Sequence, residues 1–155
     1  MWIELTNTWI IIANVLGIPV AHVLLSWLCT IAPARWFDKP LPKQCPKPHG
    51  IYETLFLIRS WKHLLPDAAP WIKGFPKDSI QSTKPDYLRR FILETRRGEL
   101  AHWLQWLVIS SFITWNPYPA NLVILVYAML VNLPCILNLR YTRIRLGRVL
   151  SKIRI

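Results

Sequence analysis

The chain has 155 residues, of which 53% are hydrophobic and only 17% charged, and it carries a net charge of +11. The apolar residues are gathered into long runs instead of being spread through amphipathic elements, which excludes an ordinary soluble fold and makes the bilayer the expected solvent. The basic residues flank those runs and no nucleic-acid motif accompanies them, so anionic lipid headgroups and phosphorylated molecules, not nucleic acid, are the expected partners.

The first element, 9–32, contains no Asp, Glu, Lys or Arg and is long enough to span the hydrocarbon core. Gly17 and Pro19 predict a kink in it, and His22 lies inside it. No basic residue precedes Arg35 and the run outlasts a signal-peptide core, so a retained transmembrane anchor is expected. The Pro-rich linker 33–47 cannot be one helix. Residues 51–65 mix large apolar side chains with Arg59, Lys62 and His63. They are too few and too charged to span, and are predicted to form an amphipathic helix lying on the membrane.

Residues 66–85, punctuated by Pro66, Pro70, Pro76 and Pro85, read as irregular. A long helix is predicted from near Asp86 to Trp115, capped by Thr83 or Asp86, with Pro85 at or near its first turn. Its first half is charged and amphipathic, and from Leu100 it is apolar. Asn116-Pro117-Tyr118-Pro119 is a tight turn, and 120–139 is a further apolar span ended by a basic segment.

All 19 Lys and Arg fall in two blocks, 13 between 35 and 97 and six between 140 and 154. The segment before the first span has none, nor has the 116–119 turn. The positive-inside rule then orients the chain. The expected fold is a single all-α membrane domain, 1–155, with about three transmembrane helices (9–32, 98–115 and 120–139), N-terminus out and C-terminus in. A cytoplasmic interfacial segment, 33–97, carries the amphipathic helix, and 140–155 is a basic cytoplasmic tail. Trp115 and Tyr118 fall where an outer aromatic belt would lie. The alternative is a two-span protein with a peripheral first helix.

Cys29, Cys45 and Cys135 are an odd number without CxxC spacing, so neither a disulfide framework nor a metal site is expected, and they read as inert small hydrophobes. The densest reactive cluster is Glu94-Thr95-Arg96-Arg97-Gly98-Glu99-Leu100-Ala101-His102-Trp103. Positions three and four apart share a helical face, so Thr95, Glu99, His102 and Trp106 form one stripe, and Glu99 can orient His102 or hold it charged. An ionisable residue at that depth should face protein or water. Folding the two long helices back about the 115–119 turn places His102 opposite Asn132 and Glu94 opposite Arg140. Arg140, Tyr141, Arg143 and Arg145 then ring the entrance of a polar pocket suited to an amphiphile and a phosphate-bearing partner. Helix packing and ordinary membrane anchoring are the bland reading of the same residues.

His63 and Asp67 form a second candidate. Acyltransferases that use a His and an Asp as base separate them by four residues; here three intervene and Pro66 is among them. An interfacial anchor is the alternative there, and a packed histidine is the alternative at His22.

ETRRGELAHW at 94–103 and YAMLVNLPCILNLRYTRIRL at 127–146, with WKHLLPD at 61–67, resemble the glycosyl-4,4'-diaponeurosporenoate acyltransferase family of bacterial membrane proteins. The resemblance covers roughly 51–146. It implies a multi-pass protein of the bacterial plasma membrane that esterifies a sugar hydroxyl of a glycosylated carotenoid, or a similar glycolipid, with a fatty acyl chain. Glu94, Arg97, Glu99, His102, Asn132, Pro134, Arg140, Tyr141, Arg143 and Arg145 match the family's pattern. Acyl transfer needs a base on the hydroxyl and a donor for the oxyanion. His102 is the expected base, Glu99 its orienter and Asn132 the oxyanion donor, while Arg97, Arg140, Tyr141, Arg143 and Arg145 hold the acyl donor. His63, Asp67 and Glu94 are secondary candidates. No bound cofactor or metal is implied; the co-substrate is an acyl-CoA or acyl-carrier-protein thioester.

Three other functions compete: a non-catalytic membrane subunit that binds pigment or lipid within a complex, a lipid-interaction protein without chemistry, and another small membrane transferase. A bundle this slender also suits a homo-oligomer or a membrane protein partner.

Overall fold

The computed structural model describes residues 2–40 and 50–153, and within them the chain is all-helical. Cys45 and the second half of the Pro-rich linker, 41–47, lie outside the described residues. Helix α1, Asn7–Ile31, has 25 residues and so runs about 38 Å, longer than a bilayer's hydrocarbon core. Trp9, Val15, Leu16, Val20, Val23 and Ile31 stand exposed along it.

The 51–65 segment is not one helix. Helices α2, Ile51–Thr54, and α3, Ile58–Trp61, are separated at Leu57, whose φ of 45° is left-handed. The break has a packing reason. It swings Arg59 back beside Glu53, so that Arg59 Nε lies 3.1 Å from Glu53 Oε1 and 3.3 Å from the Tyr141 hydroxyl. A straight helix would set side chains six apart on different faces. Ile58 is fully buried by the same move.

Helix α4, Pro85–Ser110, begins with Pro85 in its first turn, but Lys84 occupies the N-cap position without a side-chain cap, so neither Thr83 nor Asp86 has the expected role. A 3-10 turn, Ser111–Thr114, leads to the predicted 116–119 turn. Helix α5, Ala120–Ile153, then runs 34 residues, about 51 Å, through Pro134 and through the whole described part of the basic tail. The tail is therefore a rigid continuation of the last apolar helix. Two helices, α1 and α5, are long and apolar enough to cross a membrane.

α4 is central: it packs along α5 on one side and α1 on the other. Toward the turn, Ala21, Ile109, Phe112, Ile124 and Ala128 form one core; toward the basic end, Leu88, Phe91, Ile92, Leu146 and Leu150 form another. Glycine sets the closeness of both contacts. A Cβ on Gly17 would lie 3.0 Å from the Phe112 ring, and one on Gly98 would lie 3.1 Å from Leu139. Polar side chains tie α1 down. Asn14 and Asn116 exchange amide hydrogen bonds of 2.7 and 3.1 Å, and the backbone N–H groups of Trp2 and Ile3 donate to Thr114 O. The start of α1 thus sits beside the 116–119 turn, and its far end faces the basic half of the molecule.

Candidate active site

A cavity of about 950 Å³ lies between α1, α4, α5 and the segment 62–80. Along α5 it is lined by Tyr127, Val131, Cys135, Asn138, Thr142 and Arg145. Those positions follow three- and four-residue steps on one helical face and extend about 27 Å along the axis. The cavity is accordingly a slot. Its turn end is walled by Val23, Val131 and the His22–Tyr127 pair, where the Tyr127 hydroxyl and His22 Nε2 are 3.4 Å apart across the α1–α5 gap. Its other end is walled by charged groups.

His102 lines the slot from α4, and the structure brings it together with Asn132: Nδ1 and Asn132 Oδ1 are 3.0 Å apart. Asn132 is fully buried, and its Nδ2 donates to Ala128 O at 2.9 Å, which fixes the amide so that Oδ1 faces the ring. An acceptor on Nδ1 requires Nδ1–H, leaving the lone pair on Nε2. The Asn132 amide oxygen orients His102, and one of its two Nδ2 hydrogens is given to Ala128 O.

Glu99 does not touch His102. Its carboxylate accepts hydrogen bonds from Arg140 Nε and from Arg143 Nη2, the latter at 2.6 Å. Glu94 is likewise not opposite Arg140: it pairs with Arg97 at 2.8 Å, and Arg97 Nη2 donates to Ala32 O at 2.6 Å. Side-chain direction explains both departures. Helical side chains lean toward their own N-terminus. In an antiparallel pair, Glu99 therefore leans away from the turn while Arg140 and Arg143 lean toward it, and they meet across a larger offset than counting back from the turn suggests. Arg96 is also occupied, donating to Phe37 O at 2.8 Å and Lys39 O at 2.5 Å, which secures the chain after α1.

The second candidate pair, His63 and Asp67, lines the same slot without a hydrogen bond or ion pair between the two among the described residues. Asp67 accepts the backbone N–H groups of Ala69 and Lys77, so its carboxylate shapes the 66–77 loop. His63 lines the slot. Tyr141 is fully buried; its hydroxyl donates to Glu53 Oε1 at 2.6 Å, while its ring carries Lys62 Nζ at 5.7 Å and Arg145 Cζ at 5.6 Å.

Two lining residues, Gln105 and Lys77, were not singled out from sequence, and Lys62 was expected only as part of a membrane-surface helix. Gln105 donates to His22 O at 3.1 Å and Ser26 Oγ at 2.8 Å, and its buried Oε1 has no donor among the described residues. As a polar residue one turn beyond His102 in an apolar run, it carried a signal that depth alone supplies. Lys77 donates to Phe75 O at 2.8 Å, and burial pushes its ammonium below the usual lysine range, against the pull of Asp67 and Glu94. Lys62 is pushed down too, by burial and then by Arg145 and Arg59. Only the folding of the 62–80 segment over the slot brings these two lysines in. Cys29 and Cys135 are free thiols on the slot wall.

A family model described as Glycosyl-4,4'-diaponeurosporenoate acyltransferase matches residues 33–152. Relatives of that name include one from Staphylococcus haemolyticus, 37% identical over 98 residues (63% of this chain and 57% of that protein). Another, from Staphylococcus aureus strain USA300, is 31% identical over 104 residues (66% and 62%). The chain thus spans about three fifths of the length of the curated relatives it matches. No solved structure matches it significantly.

Proposed function

Because the chain belongs to the glycosyl-4,4'-diaponeurosporenoate acyltransferase family, we propose that it is a membrane acyltransferase that moves a fatty acyl group from a thioester donor, acyl-CoA or acyl-carrier protein, to a sugar hydroxyl. The acceptor is a glycosylated carotenoid or similar glycolipid. The observation that carries this reading is His102, with Nδ1 bonded to Asn132 and the lone pair on Nε2, in a slot that runs from apolar to charged walls. An acceptor hydroxyl gives its proton to Nε2 as its oxygen bonds to the thioester carbonyl carbon. Collapse of that adduct breaks the C–S bond, and the imidazolium returns the proton to the departing thiolate. The buried Gln105 Oε1 is an acceptor for a neighbouring sugar hydroxyl. Lys77 keeps ammonium hydrogens beyond the one given to Phe75 O and is the cation available to the developing oxyanion.

In this reading the chain is multi-pass in the plasma membrane. α1, the apolar half of α4 and the apolar half of α5 cross it, with the start of α1 and the 116–119 turn outside and the basic ends in the cytoplasm. Both blocks of Lys and Arg lying away from the turn support that orientation. The acceptor's long chain stays in the bilayer and reaches the slot through the α1–α5 gap, while the water-soluble donor arrives from the basic end.

Mass spectrometry of lipids from cells supplied with a glycosylated carotenoid tests this. An acyl ester should form with the unaltered protein and not with His102→Ala at equal abundance. An ester made at full level by His102→Ala would refute the base.

A further inference from the structure

The slot's basic mouth holds a cation pair that the reaction above does not use. Lys62 and Arg145 stack on the two-cation ring of Tyr141, both line the cavity, and neither has a carboxylate within 4 Å among the described residues. Their neighbours are arranged to leave them so. Glu53 is engaged by the Tyr141 hydroxyl and Arg59, and Glu99 by Arg140 and Arg143. Arg140, Arg143 and Arg97 are paired directly with carboxylates, whereas Lys62 and Arg145 make no direct ion pair among the described residues and sit on a buried aromatic ring. Burial first, and then Arg145 and Arg59, lower the proton affinity of Lys62 against the pull of Glu53, and a bound anion would offset the repulsion among these cations.

Distance adds a second constraint. Asn132, which marks the level of His102, and Arg145 lie 13 positions apart on one continuous helix, about 20 Å of axis. That is comparable to an extended pantetheine arm, the linker between thioester and phosphate in both acyl-CoA and acyl-carrier protein.

We propose that Lys62 and Arg145, set over the ring of Tyr141, bind the phosphate of a phosphopantetheine-bearing acyl donor whose arm runs up the slot to His102. This rests on the acyltransferase reading and assigns the donor's anchor within it.

The test is direct binding of 4′-phosphopantetheine and of unphosphorylated pantetheine to the full chain in nanodiscs of zwitterionic lipid. The phosphorylated form should bind roughly tenfold tighter or better to the unaltered protein. In Lys62→Gln/Arg145→Gln that preference should shrink to about twofold or less, and Lys62→Arg should retain it. Equal binding of both forms to the unaltered protein, or a double variant that keeps the preference, would overturn the assignment. Repeating the measurement with phosphatidylglycerol in the disc separates the other source of phosphate. If anionic lipid displaces phosphopantetheine completely, the site belongs to a headgroup and the proposal is wrong. If phosphopantetheine binds as expected but no thioester yields an acyl ester, the phosphate site stands and the transfer reaction falls.

Discussion

Replacing Glu99 by Gln isolates the one carboxylate that holds α4 to two arginines of α5. The Glu99 side chain is 12% exposed, Arg143 22% and Arg140 41%. Removing one partner of a buried ion pair costs about 3–5 kcal/mol because the other charge is left uncompensated. Arg140 is too exposed to bear that full penalty, since a solvent-screened pair is worth at most about 1 kcal/mol. Arg143 dominates, and its Nη1 already lacks a partner among the described residues. The amide of Gln keeps one acceptor, so the net expectation is about 2–3 kcal/mol. For a chain of this size each kcal/mol lowers Tm by about 2–4 °C, giving a fall of roughly 5–10 °C. Melting in a fixed detergent, followed by tryptophan fluorescence, reads it; Trp103 is a local reporter, with Arg140 Cζ 5.9 Å above its ring. A Tm within about 1 °C of the unaltered protein would refute the reasoning. Loss of ester formation at unchanged Tm would restore the reading in which Glu99 acts on His102.

Four further outcomes are expected. Asn132→Leu removes the acceptor on His102 Nδ1, and losing that buried hydrogen bond, about 1–3 kcal/mol, should lower kcat/KM by roughly 5- to 150-fold; full activity would show that tautomer and orientation are set elsewhere. Asn14→Leu and Asn116→Ala should each destabilise by about 1–3 kcal/mol while the double variant loses much less than their sum, as a double-mutant cycle on Tm would record. Gly17→Leu should separate α1 from the Phe112 ring and cost about 1–3 kcal/mol or more, whereas Gly98→Ala meets only the end of the Leu139 side chain, nearest at 3.1 Å, and should be near neutral; equal melting of the two variants would contradict this. Lys77 has a folded proton affinity below its unfolded one, so the unfolded chain binds more protons between that lowered value and about 10.4, and stability should rise with pH through that window. Lys77→Met should flatten the rise in a Tm-against-pH series.

The helices were legible because their signals are local. Apolar length marked α1 and the outer half of α5, Pro85 marked the start of α4, and Asn116-Pro117-Tyr118-Pro119 marked the reversal. Equal counting from that reversal placed His102 beside Asn132, since near the turn the two helices have little length over which to drift. It failed at Glu94, farther down, which pairs with Arg97 on its own helix, and the shared-face expectation for Glu99 and His102 gave way to the two arginines of α5. The break at Leu57 was illegible for a different reason. Its left-handed backbone is stabilised by Tyr141, 84 positions later in the chain, and no local pattern in 51–65 encodes that. The same holds for the fold of 62–80, where Asp67 looks like half of a catalytic pair and instead accepts two backbone hydrogens.

The Asn14–Asn116 amide exchange also bears on how the protein is made. The partners are 102 residues apart, and synthesis at about 5–20 residues per second separates their appearance by roughly 5–20 s. On the three-span reading, α1 enters the bilayer alone for that interval with a primary amide in hydrocarbon. Its Gly17 face is then uncovered and its His22 and Ser26 have not yet met Gln105. The first helix is therefore a weak anchor until the hairpin arrives, and the exchange acts as the latch that ends a vulnerable stage of biogenesis. Chains truncated before residue 116 should be extracted or degraded far faster than those ending just beyond it.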